Sequence, residues 1–110
     1  MTAPYNPPVK GENFALKIAL SDASTPGSFK ANPTIAAGDF KVETWVGGSP
    51  NSALANLTTL PSCDPSGSVL VLVELSAAEM NGDVVTLVAI DQTSPKEWND
   101  FVLSIPTTSS

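Results

Sequence analysis

The chain has 110 residues, eleven carboxylates against five lysines, neither arginine nor histidine, and a formal charge of −6. Five scattered lysines do not build the basic surface that phosphate recognition needs, and the lack of histidine removes the commonest general base and transition-metal ligand. Nucleic-acid binding and most acid–base or metal enzymes are therefore set aside. A lone cysteine, Cys63, excludes an intrachain disulfide, and no apolar run reaches the roughly 18 residues of a membrane span.

Met1 to Gly11 holds Pro4, Pro7 and Pro8 without periodicity, so residues 1–12 are expected to form an extended arm. From Asn13 to Leu20, Phe14, Leu16, Ile18 and Leu20 alternate with Ala15, Lys17 and Ala19, the period of a half-buried strand. Ser21 to Ala37 reads as a long loop rich in turn residues. Phe40, Val42, Thr44 and Val46 alternate with Lys41, Glu43 and Trp45 in a second strand. It is expected to end in the turn cluster Gly47-Gly48-Ser49-Pro50-Asn51, with Ala55 to Leu60 pairing back. Val69 to Val73 is apolar at every position, which predicts a central strand covered on both faces.

Ser76 and Glu79 have the spacing of a capping box, predicting one short helical turn before Asn81-Gly82. Asp83 to Asp91 and Trp98 to Ile105 complete a C-terminal hairpin through the turn Gln92 to Lys96. The expected fold is all-β, an antiparallel β-sandwich (immunoglobulin-like or jelly-roll-like) over 13–106 with one short helical turn, followed by a polar tail at 107–110; a closed barrel stays open as an alternative.

Asp39, Glu43, Glu74, Glu79, Asp91, Glu97 and Asp100 are the carboxylates available for acid–base chemistry, and no spacing among them selects a catalytic pair. Asn81-Gly82-Asp83 lacks the repeated acidic spacing of a calcium loop and reads as a turn. No catalytic residue, cofactor or metal ligand is expected. The absence of a charged segment followed by an apolar one at the start leads to the expectation of a non-secreted chain, with no nucleic-acid or membrane partner. Trp45 and Trp98 are each either an interface anchor or a cover for one end of the core.

Pro4-Tyr5-Asn6-Pro7-Pro8, Gly11, Phe14, the run Phe29 to Asp39, Leu57 to Pro61, Leu75 to Asp83 and Glu97-Trp98 span nearly the whole chain. In this order they resemble a family of small β-rich virion structural proteins of tailed bacteriophages. The resemblance implies a non-enzymatic virion component, foremost a head decoration (cement) protein that binds and stabilises the assembled capsid. Its partners would be the major capsid protein, copies of itself and other virion proteins. It would fold in the host cytoplasm and lie on the outer surface of the capsid. The expected contact residues are Tyr5, Pro7, Pro8 and Val9 of the arm, Phe29, Asn32, Pro33 and Ile35 of the long loop, and Trp45. Two other readings are a tail or baseplate adaptor that docks a fibre or receptor-binding protein, and a carbohydrate-binding domain with Trp45 and Trp98 exposed on one face.

Overall fold

The computed structural model describes residues 8–108, apart from the side chains of Asn51 and Ser52. Tyr5 and Pro7 lie outside the described residues. Among the described residues there are seven strands: β1 (Phe14–Ala19), β2 (Phe40–Val46), β3 (Ser49–Asn56), β4 (Ser62–Cys63), β5 (Leu70–Leu75), β6 (Val84–Ala89) and β7 (Phe101–Pro106). They form two antiparallel sheets, one of three strands in the order β1-β5-β4 and one of four in the order β3-β2-β6-β7. The chain is all-β.

Alternation decides which face each strand buries. Ile18 on β1 and Val71, Val73 and Leu75 on β5 join Phe40, Val42, Val85, Leu87, Ala89 and Ile105 from the other sheet in one buried cluster. Phe14, Leu16, Phe101 and Leu103 pack around it. Each fully buried side chain of this kind contributes about 1.5–3 kcal/mol relative to an exposed one, so the shared cluster is what joins the sheets.

Several expectations are corrected. β5 is central in its sheet, but its outer positions Leu70, Leu72 and Glu74 are exposed or half-buried, so only one face is covered. The β2–β3 turn is Gly47-Gly48 alone. Both glycines have positive φ (61° and 81°), the two-residue turn whose twist matches a hairpin. Ser49-Pro50-Asn51 therefore belongs to β3, where Pro50 is tolerated because β3 is an edge strand. Register shifts near Val42 and Thr44 accommodate extra residues of β3 against β2.

The expected helical turn is a hydrogen-bonded turn and not a helix. The Ser76 hydroxyl accepts from the Glu79 N–H at 3.3 Å, Glu79 Oε1 accepts from the Ser76 N–H at 2.8 Å, and the Met80 N–H reaches the Ser76 carbonyl. The capping box is formed, but the chain turns away after one i, i+4 bond. Gly82 follows because of packing: a Cβ there would lie 2.6 Å from the Thr44 Cβ.

The long loop also contains structure. Ser21 pairs with Phe29, and the Lys30 N–H donates to the Leu20 carbonyl, around a Thr25-Pro26-Gly27-Ser28 turn with Gly27 at φ 87°. Pro at the first and Gly at the second central position is the type II signature. Asp22 bridges to Trp98, so the segment after β1 crosses from one sheet to the approach of β7. At the other terminus, Val9 bridges in parallel to Thr108, the Lys10 N–H donates to the Thr108 carbonyl and the Gly11 N–H to the Met80 carbonyl. The part of the expected arm that is described is thus tied to the body.

Candidate functional site

On the four-stranded sheet, Lys41, Glu43 and Trp45 point outward from β2, opposite the buried Phe40, Val42 and Thr44. Cross-strand register places Trp45 beside Val84 and Val84 beside Pro106, Glu43 beside Thr86, and Lys41 beside Val88. The outer face therefore has an apolar row at the Gly47-Gly48 end. Trp45 is 37 % exposed and its Nε1 donates to Glu43 Oε1 at 3.1 Å. Glu43, Trp45, Gly48, Asp83, Val84 and Thr86 line an open groove of about 350 Å³.

Asp83 organises this end. Its Oδ1 meets Lys10 Nζ at 3.3 Å and its Oδ2 accepts from the Gly47 N–H at 2.9 Å. The Gly47 amide, then the Lys10 ammonium, hold the Asp83 carboxyl below the usual carboxylate range. The turn, the start of β6 and the N-terminal segment are joined through one carboxylate.

The opposite end is built inward. Trp98 is fully buried, its ring centroid 6.3 Å from that of Phe40, and its Nε1 has no partner among the described residues. It is a core residue, so the expectation that paired Trp45 with Trp98 as an exposed platform is corrected. Asp39 and Asp91 are buried carboxylates that hold loops together. Asp39 accepts from the Ala36 and Gln92 N–H groups, and Asp91 from the Glu97 N–H at 2.6 Å and from the Thr93 N–H and hydroxyl. Burial pushes the Asp91 carboxyl up, but the Thr93 hydroxyl, the Glu97 and Thr93 amides and the nearby Lys96 charge outweigh it and hold the group below its ordinary value.

The remaining carboxylates singled out from the sequence also have structural partners or stand exposed. Glu79 caps its turn and accepts from the Thr58 N–H, Glu97 accepts from the Thr34 N–H, Asp100 pairs with Lys96, and Glu74 is exposed. Among the described residues no group of three or more His, Cys, Asp or Glu is placed to hold a metal ion.

The expected contact residues do not form one surface. Pro8 and Val9 are half-buried beside Thr108, near the Trp45 end. Phe29, 59 % exposed, lies at the opposite end with Asn32, which is exposed at φ 50° and donates its N–H to the Ser68 carbonyl. Pro33 is buried and Ile35 packs against the core, so these two support the loop from inside. Five residue steps along β2 separate the Phe40 and Trp45 rows, about 17 Å at strand rise. Val84 and Thr86 were missed because the apolar run of β6 does not reveal which positions face outward. Val102, 61 % exposed on the same sheet, was missed for the same reason.

Comparison with known proteins finds no matching family model, no matching curated protein and no matching solved structure.

Proposed function

We propose that this chain is a non-enzymatic structural protein of a tailed-bacteriophage virion, a head decoration protein that binds the outer surface of the capsid and bridges neighbouring subunits. The observation that carries the reading is the placement of exposed apolar side chains at both ends of the molecule, Phe29 at one and Trp45 with Val46 at the other. A module with adhesive groups at two ends joins two neighbours, and repetition over equivalent capsid sites converts weak contacts into a strong lattice. The resemblance carried by the loop and turn motifs supports the same assignment.

Within this reading the fold is an immunoglobulin-like β-sandwich. What supports that type over a jelly roll is the strand order. β1-β5-β4 corresponds to strands B, E and D, and β3-β2-β6-β7 to C′, C, F and G. The single cysteine forms no intrachain disulfide, and the tryptophan on strand C, Trp45, faces outward where that of antibody domains is buried; the Phe40–Trp98 pair fills one end of the core instead.

The test is the copy number of this protein in purified particles of the encoding phage, by quantitative mass spectrometry against the major capsid protein. A ratio near that of the capsid protein is expected. A small minority ratio would instead point to a tail or baseplate adaptor, and absence from the particle would overturn the virion reading.

A further inference from the structure

We propose that the groove beside Trp45 binds a neutral carbohydrate ring. This inference stands apart from the virion assignment. A sugar ring has an apolar C–H face and a rim of hydroxyls, and the groove has both complements. Trp45 and Val84 supply apolar surface, while Glu43 and Thr86, cross-strand neighbours, supply a carboxylate acceptor and a hydroxyl.

The indole is oriented before any ligand arrives, because its Nε1 donates to Glu43 Oε1 at 3.1 Å. The same carboxylate has a second oxygen with which to accept a sugar hydroxyl. At about 350 Å³ the groove falls at the lower end of small-molecule sites, which run from roughly 300 to 1,000 Å³, so a short segment of glycan suits it. Its rim is open at Gly48, where an added Cβ would meet no atom within 4 Å.

Charge selects the ligand class. Asp83 is already matched by Lys10 at 3.3 Å and by the Gly47 amide, so it does not recruit a further cation. Glu43 disfavours an anionic ligand beside the indole. A neutral sugar satisfies the aromatic surface and the acceptors without introducing a charge.

The experiment is a nuclear magnetic resonance titration of the full chain with maltohexaose, cellohexaose and hexa-N-acetylchitohexaose, using tetralysine as the cationic comparison. The two indole N–H signals separate the outcomes, since Trp45 lines the groove and Trp98 is buried. At least one sugar is expected to move the Trp45 indole and the Thr86 and Gly48 amides saturably while leaving the Trp98 indole in place. Trp45→Ala is expected to weaken that binding about tenfold or more, read on the Thr86 and Gly48 amides, with an unchanged Trp98 signal reporting a folded chain. No saturable shift with any of the three sugars, undiminished binding by Trp45→Ala, or tighter binding of tetralysine would overturn the proposal. The titration is read on the isolated protein, so its failure is separate from the result of the particle copy-number measurement.

Discussion

The two ends of the four-stranded sheet are built on different physical terms. At the Phe40–Phe101 end, aromatic rings and two buried carboxylates face inward, and Asp39 and Asp91 satisfy the backbone of the loops that close the core. At the Trp45–Pro106 end, the organising contact is the exposed Lys10–Asp83 pair and the indole faces outward. Buried hydrogen bonds to a charged group are expensive to break, whereas exposed ion pairs contribute little. The first end therefore holds the fold, and the second is available for contact.

The largest expected effect is Trp98→Ala, which should cost about 4 kcal/mol in urea unfolding through lost burial and the cavity left beside Phe40. Trp98→Phe, which keeps a ring, should cost much less; equal losses would break the account of this end as close-packed. Asp91→Ala should cost about 3 kcal/mol at neutral pH, because the Thr93 and Glu97 donors lose their acceptor. The folded Asp91 carboxyl binds its proton less readily than in the unfolded chain. Its contribution is therefore present above the unfolded value of about 3.9 and is lost as pH falls through the lower folded value. Stability measured against pH should fall less steeply below about pH 4 in Asp91→Ala than in the parent.

At the other end, Gly82→Ala should cost about 2 kcal/mol by thermal or urea unfolding, because the new Cβ meets Thr44 at a point where backbone also lies close. This sharpens the comparison: beneath the exposed row, the second end is tightly packed too. The smallest effect is expected for Trp45→Ala, about 1 kcal/mol, since the indole is only partly covered. It should remove the redder component of tryptophan emission and leave that of buried Trp98. A loss comparable with that of Trp98→Ala would show that Trp45 supports the fold and would dissolve the distinction between the ends.

Much of this was legible in the residues. Alternation in Phe14 to Ala19 and Phe40 to Val46 assigned both strands and put Trp45 on the face of Lys41 and Glu43, and Ser76 with Glu79 announced the capping contacts later found. The β3 boundary was misplaced because Ser49-Pro50-Asn51 has turn composition, while the two glycines before it suffice for the hairpin. The hairpin within Ser21 to Phe29 was hidden for a related reason: its pairing rests on backbone groups and one type II turn, without apolar alternation. Trp45 was readable as a site residue, whereas the groove requires its neighbours on β6.

By itself, the sequence determined the all-β character, the period-two strands, the presence of a turn after Val46 and the absence of an intrachain disulfide, since each follows from local stereochemistry or composition. Only the tertiary structure decided that β5 pairs with β1 and β4, that β2 pairs with β6, that Asp39 and Asp91 are buried, and that Trp98 rather than Trp45 fills the core. Those outcomes depend on which distant segments meet. Period-two alternation defines two faces for a strand, but the neighbouring strands and the facing sheet determine which face loses water.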